Sequence, residues 1–428
     1  MKMSLLLFLA VLYTPIFGGL FIPHNIKLNL AKLLTMMLLI LSAKFKINRY
    51  FVKRIKPIFQ FCVFFLFLDL LQLIYKGVDI RRIIDYQTIY LIPITLVLFL
   101  SHYKNNSIIK FLENVFYLVG VMFLLQFILS AYESINNIYL DPIHNWALNH
   151  ITSHSIRSKW LLQVIGIDFS LLDRFIHPFS GLLGQSNFWA VQLPFYNLIF
   201  LYMHYKTRRK YFMLLVVLVF SAILLNTTRS AIFIILVTDI FYMLFIGESK
   251  RFNYVTIGGV VILLFIYIGD IVYNFIIYFE QSDSLTGRLA TYNTLSQFSM
   301  LSEIPLIWGY SVPQILNIEY VYLGGMGFES YFFDVLFYNG IFGFLLFIYL
   351  LMKILKQGRK FSTINKYFSF LIVMNIIGIS LTINGPVTDY AFSFVTILYI
   401  YNVVSDRSYN ESRINMVKNI YNKNRFIT

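Results

Sequence analysis

The chain has 428 residues, 58% of them hydrophobic and only 13% charged, with a mean hydropathy of +0.71. A soluble domain carries about 25% charged residues, so a fold coated in solvated side chains is excluded and lipid is the expected solvent. The net charge of +15 would point to nucleic acid in a soluble protein, and the single cysteine, Cys62, excludes an intrachain disulfide or a cysteine-based metal site.

Apolar runs long enough to cross a bilayer recur along the chain. They predict helices near 3–22, 29–43, 57–75, 86–101, 109–131, 186–205, 211–227, 230–247, 254–276, 329–352, 367–383 and 387–404. The first could be mistaken for a signal peptide. Further spans follow and no Ala-x-Ala-like site is present, so it reads as an uncleaved helix. The pair 211–227 and 230–247 is joined by a very short connection at Thr228-Arg229.

Lysine and arginine are retained on the cytoplasmic side of a membrane. With the N-terminus inside, alternate connections hold Lys2, the cluster from Lys44 to Lys56, Lys104 and Lys110, and the cluster from Lys206 to Lys210. Lys250 and Arg251, the cluster from Lys353 to Lys366 and the tail from Arg407 to Arg425 complete the set, 25 of the 35 basic residues. The expectation is an all-α polytopic bundle of about 12 spans with both termini cytoplasmic. Residues 1–404 form its transmembrane domain and 405–428 a basic cytoplasmic tail. The positive charge is thereby explained without nucleic acid.

Two connections are long, 132–185 and 277–328, and both fall outside in this topology. Loops of this length are uncommon unless functional. Acids cluster there, among them Glu133, Asp141, Asp168 and Asp173 in the first and Glu280, Asp283, Glu303 and Glu319 in the second. Trp160–Ile167 and Leu301–Ile307 are apolar enough to lie as interfacial helices.

Arg229, in Asn226-Thr227-Thr228-Arg229-Ser230-Ala231, stands at the outer end of a span. It reads either as a snorkelling arginine or as an anion-binding group. Arg288 and Arg174 are further basic residues on the side where such residues are scarce, and a guanidinium forks onto phosphate oxygens. Glu329 opens the span at 329–352, where the helix dipole favours an acid. Asp334, five residues on, is expected more than a turn deeper, so that the two acids mark a polar cleft. Asp69 and Asp239 lie within apolar runs, and pairing with a neighbouring polar helix is favoured over a proton relay. His144, His150 and His154 lack an acid or cysteine at ligand spacing, so no metal is expected there.

Three segments resemble one known family. Ser180-Gly181-Leu182-Leu183-Gly184-Gln185-Ser186-Asn187-Phe188-Trp189-Ala190 is similar to a Gly-x-x-Gly-x-x-Asn-x-x-Ala run that leads into a span. Thr227-Thr228-Arg229-Ser230-Ala231 resembles a Ser-Arg-Ser-Ala segment. Thr286-Gly287-Arg288, then Trp308-Gly309-Tyr310, then Glu329 to Gly343 resembles an external loop and the helix after it. In this order, over roughly 175–352, they resemble the O-antigen polymerase and ligase superfamily of bacterial envelope polysaccharide synthesis, often called Wzy-like. Its ligases carry His-Asn eleven residues before the Gly-x-x-Gly of the last helix; Glu329-Ser330 stands there instead, which resembles the O-antigen and capsule polymerases.

The resemblance implies glycosyl transfer on the outer face of a bacterial cytoplasmic membrane. A growing glycan leaves its undecaprenyl diphosphate carrier and joins a sugar hydroxyl of the next lipid-linked repeat unit. Such a site needs positive charge for the departing diphosphate and a base for the hydroxyl proton. Arg229 and Arg288 suit the first role and Glu329 the second, with Arg174, Asn187 and Asp334 expected to bind substrate. No metal or cofactor is expected; a chain-length regulator and a flippase are expected partners. A ligase, or less favourably a lipid-linked oligosaccharide flippase using Asp69 and Asp239, is the alternative.

Overall fold

The computed structural model describes residues 2–13, 33–41, 49–76, 80–136, 186–226, 229–246, 307, 309, 331–382 and 392–406. Among these, every regular element is helical: α1 (Lys2–Tyr13), α2 (33–41), α3 (Arg49–Arg54), α4 (Lys56–Lys76), α5 (Ile80–Leu100) and α6 (Asn105–Asn136). They are followed by α7 (Ser186–Thr207), α8 (Lys210–Asn226), α9 (Arg229–Phe245), α10 (Tyr331–Gly358), α11 (Thr363–Thr382) and α12 (Phe392–Asp406). The helix expected at 254–276 and most of both long connections lie outside the described residues.

Among the described residues three helices are long and apolar enough to cross a membrane, Asn105–Asn136, Asn339–Gly358 and Thr363–Ser380, and several shorter apolar helices accompany them. Their large apolar side chains are turned outward as well as inward: Phe233 is 68% exposed, Ile128 61% and Leu214 57%. Surfaces of that kind, on helices that already satisfy their own backbone, mark a membrane protein.

The bundle is arranged around α7 and α12. Every residue of 189–203 and of 392–406 is buried, and a helix buried on all sides needs no polar stripe. Aromatic rings fill the space between them. Tyr196 meets Phe394 edge-on at 5.2 Å, and Phe123 of α6 lies 5.7 Å from both Tyr196 and Phe200. Polar groups join the elements at one end. The Tyr202 hydroxyl sits 2.9 Å from Asn365 Oδ1 of α11, 2.9 Å from Asn402 Oδ1 and 2.8 Å from Ser405 Oγ of α12. Asn402 Nδ2 in turn donates to Ser369 Oγ at 2.8 Å, and the Ser362 amide donates to Asp406 at 2.8 Å.

Helix α6 is 32 residues long, which at 1.5 Å per residue exceeds a hydrocarbon core of about 30 Å by several turns. It continues to Asn136, so Glu133 is helical, where the sequence placed it at the start of a long loop. Its final turns are inside out relative to a soluble helix. Val121, Leu125, Ile128, Tyr132 and Ile135 form an exposed apolar stripe, while Gln126, Ser130, Glu133 and Ser134 are buried.

Helix α10 breaks at Gly340, whose φ of 68° and ψ of −171° belong to a region open essentially to glycine alone. The break receives another part of the chain. A Cβ on Gly340 would run into the carbonyl oxygen of Ile307 and lie 2.5 Å from the amide nitrogen of Gly309. Three residues on, a Cβ on Gly343 would collide with that of Asn339, which is itself buried. The Gly-x-x-Gly pair thus serves a break and a backbone contact, and it joins Ile307 and Gly309 to the Asn339–Gly343 segment some thirty residues further along the chain.

Candidate functional site

Helix directions follow from side-chain pairs. Asn197 Nδ2 of α7 donates to Asp239 Oδ1 of α9 at 2.7 Å, and Asn375 Nδ2 of α11 donates to Thr238 Oγ1 at 3.0 Å. Further along both α7 and α9, Tyr202 and Tyr242 each meet Phe368 of α11. Helices α7 and α9 therefore run parallel, with α11 antiparallel to both. Trp189 Nε1 donates to Gln126 Oε1 at 3.1 Å, while Phe123, earlier in α6, meets Phe200, later in α7. Helix α6 is thus antiparallel to α7, and its Asn136 terminus lies at the same end of the bundle as Ser186, extending past it.

These directions gather the start of α7, the start of α9, the start of α10 and the terminus of α6 at one end of the bundle, here the Ser186 end. The opposite end holds the α7–α8 turn and is called the Arg208 end. Arg208 caps α7 with φ at 58°, its amide donating to His204 O at 2.8 Å, a left-handed cap.

The ends differ in charge. Among the described residues, the helix positions of Lys76, Arg81, Arg82 and Arg229 fall on the Ser186 end, and all other basic residues lie toward the Arg208 end. There they stand on aromatic rings: Arg208 5.0 Å from the Tyr205 ring centre, Arg209 5.2 Å from Tyr117 and Lys353 4.9 Å from Tyr349. Aromatic and basic residues pair in this way where a membrane meets water.

Asn187 is the second residue of α7 and Arg229 the first of α9. Each lies ten residues before its helix's member of the Asn197–Asp239 pair, about 15 Å along parallel axes. The two therefore stand at a common level on adjacent helices. Asp334 is the fourth residue of α10, before the Gly340 break and before the apolar stretch Asn339–Gly358. It sits in the first described turn of α10. Arg174, Arg288 and Glu329 lie outside the described residues, as do His144, His150 and His154. Asp239 pairs with a polar residue of a neighbouring helix, the arrangement favoured from sequence.

The sequence reading missed the buried polar face of α6. Its signal was present: the 4-3-4-3 spacing of Val121, Leu125, Ile128, Tyr132 and Ile135 carries the helical period through to Asn136. Among the described residues there is no group of three or more His, Cys, Asp or Glu side chains placed to hold a metal ion. No protein-family model matches this chain, and neither a curated protein nor a solved structure matches it.

Proposed function

We propose that this chain is a bacterial envelope polysaccharide polymerase that spans the cytoplasmic membrane about a dozen times. It transfers a growing glycan from undecaprenyl diphosphate to the next lipid-linked repeat unit. In this reading the Ser186 end faces outward, the Arg208 end faces the cytoplasm, and both chain termini are cytoplasmic. The segregation of basic residues to one end supports that orientation.

The common level of Asn187 and Arg229 carries the proposal furthest. The two segments that resemble the superfamily, one leading into α7 and one opening α9, are far apart in sequence yet end at the same height on neighbouring helices. A guanidinium there meets the diphosphate of a lipid whose tail lies along the apolar helices below. Arg288 shares that charge. Glu329 takes the proton of the attacking sugar hydroxyl as the glycosidic bond forms and the carrier diphosphate departs. The backbone contact between Gly309 and Gly340 supports the second half of the resemblance, because it ties the loop segment to the helix that follows Glu329.

Arg229→Ala, Arg288→Ala and Glu329→Gln, each returned to cells lacking the gene, test these assignments. Loss of chain growth with protein level intact is expected from each, and normal polymer from all three would remove them.

A further inference from the structure

We infer that the seam between α6 and α8 binds an anionic phospholipid of the leaflet at the Arg208 end, its phosphate among Lys110, Arg209 and Lys210 and its acyl chains on the apolar stripes beyond them. The inference needs only a membrane protein and stands apart from the polymerase reading. Tyr117 of α6 meets Phe212 of α8 at 5.0 Å, and three residues further along both helices Gly120 faces the Leu215 side chain. The two helices therefore run parallel, and both start at the Arg208 end.

Each helix carries an exposed stripe that turns from polar to apolar along its length. On α6 the stripe is Lys110, Asn114, Val121, Leu125 and Ile128, and on α8 it is Lys210, Leu214 and Val217. Phe123 on α6 and Phe212 on α8 both meet Phe200 of α7. At 100° per residue each of these two rings lies nearly opposite the stripe of its own helix. The stripes thus turn away from α7 together and form one surface on both sides of the seam.

Height and charge select the occupant. Lys110 and Lys210 stand about 10 Å and about 3 Å nearer the Arg208 end than the Tyr117–Phe212 pair, a spread comparable with one headgroup layer of about 5–8 Å. Arg209 reaches across the seam, its guanidinium 5.2 Å from the Tyr117 ring centre. In the other direction Ile128 lies about 16 Å beyond Tyr117, close to half of a hydrocarbon core of about 30 Å. Little opposes the cations: α8 has no acid, and Glu113, the first acid of α6, accepts a hydrogen bond from the Tyr401 hydroxyl at 3.0 Å. A phosphodiester carrying apolar chains matches both parts of this surface, whereas a lipid without net charge leaves the cations unmatched.

The test uses the purified full-length protein in detergent, with phosphatidylglycerol and phosphatidylcholine of identical chains as probes and native mass spectrometry to count bound lipid. Wild type is expected to retain phosphatidylglycerol in preference to phosphatidylcholine; no preference overturns the site. Lys110→Gln, Arg209→Gln and Lys210→Gln together should raise the half-saturating concentration of phosphatidylglycerol about tenfold or more. Lys356→Gln, Arg359→Gln and Lys360→Gln remove as many exposed cations from the same end and should leave it near wild type. No loss in the first triple variant, or equal loss in both, overturns the site, the second outcome by reducing it to net charge. If the first triple variant does not fold, Lys110→Gln with Lys210→Gln gives the comparison while keeping Arg209 on Tyr117. A second copy of the chain is the competing occupant, and Val217→Cys in a Cys62→Ala background detects it. Oxidation in native membranes should leave that variant monomeric, and a disulfide-linked dimer contradicts the lipid.

Discussion

Asn197 on α7 donates a 2.7 Å hydrogen bond to Asp239 on α9, and that partly buried bond sets two parallel helices at one height. An acid so placed could belong to a proton-coupled transporter or could only hold helices together, and the two roles separate on substitution. Asn197→Leu strips Asp239 of this donor and is expected to cost about 1–3 kcal/mol, read as a lower melting temperature in detergent. Asp239→Asn keeps an amide partner and is expected to leave glycan formation intact. A variant of normal stability with no activity would favour coupled transport.

Gly340→Ala places a side chain at a φ of 68° against the backbone of Ile307 and Gly309. Conformational strain alone is worth about 1–3 kcal/mol, and backbone cannot step aside as a side chain can. Gly120→Ala is the control, since the nearest atoms to its added methyl are the far ends of the Tyr211 and Leu215 side chains, which can swing aside. The yield of folded protein, followed by size exclusion, should fall sharply for the first and little for the second.

Tyr202→Phe removes one hydroxyl from among Asn365, Asn402 and Ser405. Each of these neighbours is buried, so the loss leaves polar groups short of a partner and should cost about 1–3 kcal/mol. Thermal unfolding measures it. Because the network lies at the end away from Arg229, glycan length should not change.

Orientation is testable with a single thiol. Cys62 is the one cysteine and is buried, so a Cys62→Ala background is silent to labelling. Asn136→Cys should react with a membrane-impermeant maleimide on intact cells from which any outer barrier has been removed. Lys360→Cys should react only after the cytoplasmic membrane is opened. Both positions are exposed. The reverse pattern would invert the bundle and put Arg229 on the cytoplasmic side.

The helices were legible because hydropathy alone specifies them. The short break between α8 and α9 was read correctly from a polar Asn-Thr-Thr-Arg run between two apolar stretches. Helix ends were less legible: α6 outlasts its hydrocarbon span, and its last turns look loop-like when scored by apolarity, although their period is helical. Glu133 therefore reads as a loop acid by apolarity, although it is helical. Gly340 and Gly343 are visible as a motif, but their cause, a break that admits Ile307 and Gly309, is a tertiary contact that no local pattern encodes. The height shared by Asn187 and Arg229 is likewise set by one hydrogen bond between residues 42 positions apart.

The most direct measurement is the lipid-linked glycan of cells from which the gene has been deleted, sized and tested for exposure to an added glycosidase outside the cytoplasmic membrane. Single repeat units accumulating on their diphosphate carrier at the outer face are the predicted result. Full-length glycan left on the carrier would contradict it in favour of a ligase, and units trapped on the inner face would contradict it in favour of a flippase.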